Sequence, residues 1–221
     1  MKAATRKPTV ERREDIARAV LRIIGERGLT SLTTATIAAE VGVTTGALYR
    51  HFKSLDEILT ETVRSGVEKI EMTFPDESLP PLERLVALAR NRIRVLGSDL
   101  GLAWLLRSDQ AYFTLPEVAA NRLREVVGRS RRFLLRALRE GAQGGSIRGD
   151  IDAELLLVPV LGTIHALMGP VGSHRRLAPR EQPEPERVLS ALVRLLEPPM
   201  GPAGAGETSV KKIGTSKNTG A

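Results

Sequence analysis

The segment from Thr33 to Lys53 constrains the fold more than any other part of the sequence, because its residues have the spacing of a helix-turn-helix. Ala38 is small at the position where two helices would cross closely. Gly42 can adopt the positive φ of a tight turn, and Leu48 can enter the core from the second helix. These three residues, Ala38, Gly42 and Leu48, lie between threonines that favour helix starts. Together they predict two short helices joined by a turn.

Helical periodicity extends through the remainder of the chain. The sequence is 42% hydrophobic but only 3% aromatic, so the core must consist mainly of aliphatic side chains, which favours helix packing. No segment shows a strand signal. Apolar spacing, caps, prolines and glycines predict an all-α fold of about nine helices. They are expected near residues 10–27, 34–41, 45–51, 54–72, 81–96, 100–107, 116–141, 150–169 and 184–196.

The helices divide the chain into two expected domains. The first three should form an N-terminal helix-turn-helix DNA-binding domain, residues 9–53, and the others a larger C-terminal helical domain, residues 54–197. Ser54 and Glu57 fit a capping box, in which each side chain accepts from the other residue's amide. The Pro-, Gly-, Ser- and Lys-rich tail, residues 198–221, is expected to be disordered.

Charge and missing motifs narrow the class of protein. A net charge of +7 and a pI near 10.2 favour polyanionic partners, either nucleic acid or an anionic membrane surface. Without cysteine, disulfides and thiolate sites are excluded. The three histidines lack metal-ligand spacing, so no metal or cofactor is predicted. No catalytic motif stands out, so we do not expect an enzyme.

We expect no membrane segment and a cytoplasmic location. The most apolar stretch, Leu155 to Gly169, is shorter than the roughly 20 residues that a spanning helix needs. The first residues carry charges without the apolar run of a secretory signal.

The second helix of a helix-turn-helix enters the major groove with its N-terminal residues towards the base edges. Threonine can offer a hydroxyl and a methyl group to bases, and glycine permits close approach. The candidate DNA contacts at this helix and directly after it are Thr44, Thr45, Gly46, Tyr49, Arg50, His51 and Lys53. Structural alternatives exist, because Thr34 and Thr44 can be caps, Tyr49 or His51 packing residues, and Arg50 a solvated charge.

The run from Leu32 to Ser54 resembles the signature of the TetR family of bacterial regulators, above all in its Gly-Ala-Leu-Tyr-Arg-His-Phe core at 46–52. The similarity covers roughly residues 10–65. It implies a homodimeric, all-helical repressor that binds a palindromic double-stranded operator and releases it when a ligand enters the C-terminal domain. By motif position, it also implies that Thr34 and Thr36 contact DNA. Many members have Lys where this chain has Leu55.

Aromatic, histidine and methionine side chains on apolar helix faces are candidates for an effector pocket. The effector is expected to be small and apolar. The alternative is that these side chains belong to an ordinary core. The candidate ligand-binding residues are Trp104, Tyr112, Phe113, Phe133, His165 and Met168.

The last two predicted helices carry more apolar surface than a small domain needs. We therefore predict that they pair with their symmetry mates in a four-helix interface. The alternative is that they close the core of a single chain. The candidate interface residues are Leu155, Val158, Leu161, Leu189, Leu192 and Leu196.

A second functional class stays open from the sequence. The chain can instead be a DNA-bound scaffold or nucleoid-associated protein whose C-terminal domain binds another protein. That class predicts many genomic sites, no release by a small molecule and a solid C-terminal core.

Overall fold

Ten α-helices form the described part of the chain, residues 9–169 and 183–199, in this computed structural model. A 3-10 turn, Leu29–Ser31, separates the first two helices. The helices are α1 Thr9–Arg27, α2 Thr34–Glu40, α3 Thr45–Leu48, α4 Leu55–Glu71, α5 Pro81–Gly97, α6 Leu100–Arg107, α7 Asp109–Thr114, α8 Glu117–Gln143, α9 Ala153–Leu167 and α10 Pro185–Leu196.

The all-α prediction is confirmed, since none of the described residues lies in a strand. The sequence pattern missed α7, a six-residue helix too short to show a periodic apolar stripe. Residues 200–221 of the predicted disordered tail lie outside the described residues. Residues 1–8 and 170–182 also lie outside them.

One hydrophobic core runs from Ile16 in α1 to Leu196 in α10. Helix α1 packs on α4 and α6, while α8 packs on α4, α5 and α9, and α10 closes the far side against α9 and α5. An aromatic pair, Phe74 and Phe133, meets edge to face with ring centroids 5.3 Å apart. Burial of each large aliphatic side chain contributes about 1.5–3 kcal/mol. The N-terminal helices are thus joined to the remaining helices through shared packing.

The cap of α2 differs from the prediction. Thr33, and not Thr34, is the N-cap, because its backbone is extended (φ −132°, ψ 160°) while Thr34 is already helical. The Thr33 hydroxyl accepts from the Thr36 amide at 3.1 Å, and the Thr36 hydroxyl accepts from the Thr33 amide at 2.9 Å. The predicted cap of α3 is confirmed, as the Thr44 hydroxyl accepts from the Ala47 amide at 3.1 Å.

The start of α4 also departs from the expected capping box. Ser54 accepts from the Glu57 amide at 3.1 Å, as predicted. The Glu57 carboxylate, however, accepts from the Lys53 amide at 2.6 Å, one residue before the amide that a capping box uses. This bond fixes Lys53, the last candidate DNA contact, to the first turn of α4.

Candidate nucleic-acid interface and cavity

Helix α3 is held on the protein by its buried side. Leu48 and Phe52 are buried at 0% and 2% exposure, and the Val43 amide closes the preceding turn on the Ala38 carbonyl at 2.9 Å. Gly42 has φ 67°, which confirms the predicted positive φ of the turn. The opposite side of α3 therefore faces solvent.

The predicted DNA contacts divide by exposure. Thr44, Thr45, Gly46, Tyr49, Arg50 and Lys53 are exposed, whereas Thr34, Thr36 and His51 are partly buried. The Thr36 hydroxyl is engaged in the α2 cap and donates to a backbone carbonyl. Helix α3 ends at Leu48, earlier than predicted, and the His51 amide bonds the Leu48 carbonyl at 3.0 Å in a tighter turn.

Arg13 organises the interface, although it was not among the predicted site residues. Its Nη1 donates to the His51 carbonyl at 2.6 Å and to Glu57 Oε1 at 3.1 Å. Its guanidinium lies 4.1 Å from the centroid of the Phe52 ring. The bond from the Lys53 amide lowers the pKa of Glu57, and Arg13 lowers this pKa further. Arg13 thereby ties α1 to the turn after α3 and to α4.

A cavity of about 160 Å³ lies between α5, α6, α8 and α9. Its walls are mostly aliphatic, and its apolar lining includes Leu88, Leu106, Leu134, Leu161, Ile164 and Met168. Aliphatic walls of this kind suit an apolar ligand body.

The same cavity also has a polar part. Arg92 and Ser130 are buried there, and Arg131 and His165 lie at its exposed edge. The pKa of His165 is lowered by burial first and then by Arg107 and Arg92. His165 is therefore neutral at pH 7, and the arginines carry the charge at this site.

The predicted ligand residues do not converge on this cavity. His165 and Met168 line it. Trp104 is buried in the general core, and Phe133 packs on Phe74. Tyr112 lies under Arg124, and Phe113 is 88% exposed. Core packing and exposure thus account for the four aromatic side chains.

The predicted dimer residues do not all lie on one surface. Leu189, Leu192 and Leu196 are buried within a single chain, and Leu161 lines the cavity. Leu155 and Val158 on α9 are exposed at 64% and 69%. Leu195 on α10, which was not among the candidates, is 63% exposed. The exposed apolar surface on the last two helices therefore consists of Leu155, Val158 and Leu195.

Within the described ranges, no three His, Cys, Asp or Glu side chains group as metal ligands. Across those same ranges, no helix has both the length and the apolar character needed to span a bilayer.

The sequence profile of the bacterial regulatory proteins of the tetR family matches residues 16–62. This match spans the C-terminal part of α1, the helix-turn-helix and the start of α4. Over these residues the chain is similar to the N-terminal region of the TetR family.

Two relatives with similar sequences are a transcriptional repressor and a nucleoid occlusion factor. The chain is 25% identical over 149 residues to the HTH-type transcriptional repressor KstR2 of Mycolicibacterium smegmatis, a match that covers 66% of this chain and 72% of the relative. It is 28% identical over 163 residues to the nucleoid occlusion factor SlmA of Vibrio cholerae, with 70% and 81% coverage.

Solved structures share the fold of this chain. The structure of AibR in complex with isovaleryl coenzyme A and operator DNA superimposes with a TM-score of 0.69 at 22% identity. The superposition covers 86% of this chain and all of AibR. At this identity the likeness shows the common fold.

Sequence patterns did not predict the charged part of the cavity. Arg92 and Ser130 occupy core positions on α5 and α8. A signal was present, because Arg92 falls on the apolar stripe formed by Leu85, Leu88, Ala89 and Leu96.

Proposed function

We propose that this TetR-family protein is a homodimeric repressor that binds a palindromic operator and releases it when a small molecule occupies the C-terminal cavity. Residues 9–53 form the DNA-binding domain of this proposal, and residues 54–197 form the effector and dimerisation domain. The protein acts on DNA in the cytoplasm, as a regulator and not as an enzyme.

The exposed face of α3 carries this proposal. Thr44, Thr45 and Gly46 offer small side chains for approach to base edges. Tyr49 and Arg50 follow as hydrogen-bond donors on a surface held rigid by buried residues. Phosphate contacts position such a unit, while contacts to base edges specify the sequence.

Dimerisation is supported by the apolar surface of α9 and α10. Leu155, Val158 and Leu195 are each more than 60% exposed, and exposed large aliphatic side chains on two neighbouring helices favour a protein interface. Pairing of α9 and α10 with their symmetry mates forms a four-helix contact. The resulting two-fold symmetry places one α3 in each half-site of a palindrome.

Coupling between cavity and DNA runs through α6. Leu106 lines the cavity, and Arg107 donates to the His165 and Gly169 carbonyls at 3.0 and 2.7 Å. At its other end, Gly101 packs directly on the backbone of Leu21 in α1. An effector releases DNA only if it binds the conformation with displaced α1 better than the DNA-bound conformation.

Selection of duplexes from a random DNA pool tests the proposal. The purified chain should enrich a palindrome, with an affinity that falls steeply with salt. Arg50→Ala and Tyr49→Phe should each weaken binding, by about tenfold for Arg50→Ala. Arg136→Ala, which removes an exposed charge on α8, is the matched control. The proposal is refuted if no sequence is enriched, or if Arg136→Ala weakens binding as much as Arg50→Ala does.

The similarity to SlmA favours a second candidate, a nucleoid-associated protein whose C-terminal domain binds another protein. This candidate also binds DNA. It predicts many genomic sites, however, and operator binding that small molecules do not reverse. Genome-wide occupancy measured with and without extracted metabolites separates the two candidates.

A further inference from the structure

The cavity between α5, α8 and α9 contains an arginine that is nearly inaccessible to solvent. Arg92 is only 8% exposed. Its Nε donates to the Thr73 hydroxyl, and its Nη2 donates to the Ser130 hydroxyl at 2.9 Å. Both partners are neutral. Their own protons go to the backbone carbonyls of Ile70 and Val126, so the two hydroxyls are oriented as acceptors.

These two bonds leave part of the guanidinium unused. Arginine has five N–H donors, and within residues 9–169 and 183–199 the Nη1 group of Arg92 has no hydrogen-bond partner. The Phe74 ring lies 5.1 Å from the guanidinium and covers its face, but a ring accepts no in-plane hydrogen bond. A donor pair is therefore available on a side chain that lines the cavity.

The charge of Arg92 is also uncompensated. Glu71 is the acidic group that acts on it electrostatically, and the Glu71 carboxylate is already paired with Arg129. Burial lowers the pKa of Arg92 to about 10, so the group stays charged at pH 7. A buried charge without a counter-ion is destabilising, and an anion that reaches it recovers part of that cost.

A second cation stands on the cavity wall. Arg131 is exposed, and within the described part of the chain it forms no ion pair or hydrogen bond. The pKa of His165 is shifted down, so this ring adds no charge at pH 7. No carboxylate lines the cavity. The lining therefore combines aliphatic walls with net positive charge.

We propose that this cavity binds an aliphatic carboxylate, whose anionic head accepts hydrogen bonds from Arg92 and whose tail packs between Leu134, Leu161 and Ile164. This inference rests on the proposed function in taking the cavity as the effector site, and it replaces the expected apolar effector with an anionic amphiphile. A cavity of about 150 Å³ admits a ligand the size of benzene. The volume of about 160 Å³ therefore fits a short aliphatic chain.

Calorimetric titration of the full chain without DNA tests the ligand class. Hexanoate is compared with hexanamide, hexanol and hexylamine, which keep the tail and change the head. Hexanoate should bind at least about tenfold more tightly than the amide or the alcohol, because charge-assisted bonds are the stronger ones, and the amine should not bind. Equal binding of acid and amide, preferential binding of the amine, or no binding of hexanoate overturns the proposal.

Variants then assign the contact to Arg92. Arg92→Met should weaken hexanoate binding about tenfold to a hundredfold while hexanamide binding changes little. Arg92→Lys should retain part of the affinity. Arg94→Met, on the exposed side of α5, is the matched control. Hexanoate binding by Arg92→Met at the original strength overturns the proposal. If that variant does not fold, the head-group series on the unaltered protein decides alone.

Hexanoyl-coenzyme A distinguishes a free acid from an acyl thioester. The proposal of a carboxylate bound at Arg92 is overturned if the thioester binds more tightly than hexanoate and this binding is lost in Arg131→Met but unaffected by Arg92→Met. Because these titrations contain no DNA, their failure leaves operator binding and the proposed repressor intact. Conversely, hexanoate binding that does not release operator refutes regulation by this site but not the carboxylate site itself.

Discussion

The crossing of α1 and α6 allows no side chain at position 101. A Cβ added to Gly101 would lie 1.8 Å from the Leu21 carbonyl oxygen and 2.8 Å from its Cα. Cβ atoms essentially never approach another heavy atom within 3.0 Å. The obstacle is helix backbone, which has no rotamer to change. The substitution Gly101→Ala therefore forces the two helices apart.

The cost of Gly101→Ala has two opposing parts. Overpacking of a tight contact costs about 1–3 kcal/mol, and a backbone obstacle favours the upper half of this range. Alanine recovers about 0.5–1 kcal/mol of helix propensity. The net loss is about 1–2.5 kcal/mol. For a chain of this size, that lowers Tm by about 2–10 °C.

Thermal denaturation and operator binding measure the effect. Gly97→Ala is the matched control, because position 97 ends α5 and its added Cβ meets no atom within 4 Å. The control should be neutral or slightly stabilising. Gly101→Ala should also change the effect of an effector on operator affinity, since α6 links α1 to the cavity. Equal Tm for both variants, with unchanged effector response, would refute the close crossing and the role of α6.

Three further predictions concern other parts of the structure. Arg13→Ala should lower the free energy of unfolding by about 1–2 kcal/mol, since partly exposed charge-assisted bonds are lost. Urea denaturation of this variant and of the control Arg12→Ala measures the loss, and equal denaturation midpoints would contradict it. Leu155→Glu should leave the fold intact but shift sedimentation towards monomer, whereas Val118→Glu, exposed on α8, should not; a dimer unchanged by Leu155→Glu would remove α9 from the interface. The pKa of His165 is depressed below 6.5, so the unfolded chain binds this proton more readily and stability falls as pH drops below about 6.5. His165→Gln should flatten this loss between about pH 7 and pH 5 in urea titrations, and parallel curves would exclude His165 as the cause.

Local structure was largely predictable from the sequence. Helix α1 begins and ends within one residue of the prediction, because a long apolar stripe and a following glycine define it. The glycine turn at Gly42 followed from spacing alone. The cap at Thr33 was misplaced by one residue, since three of four consecutive residues from Thr33 to Thr36 are threonines and each satisfies the N-cap preference.

Long-range contacts were less predictable. An apolar stripe such as Leu189, Leu192 and Leu196 has the same spacing whether it faces the same chain or a second one. Packing against α5 and α9 decided the outcome. Exposed neighbours such as Leu195 interrupt no apolar pattern, so no sequence pattern distinguishes them from buried residues. Only three-dimensional packing separates a core stripe from a docking surface.

Aromatic side chains indicated the ligand site less well than a buried charge did. Aromatic side chains stabilise any core, so Trp104 and Phe133 needed no ligand to explain them. A charge on an apolar stripe is different, because its burial must be offset by some partner. Arg92 has only neutral hydroxyls and a ring as partners among the described residues. An arginine at a core position therefore indicates an anionic ligand more directly than an aromatic residue indicates an apolar ligand. Comparing the affinity for hexanoate with the affinity for hexanamide tests this inference directly.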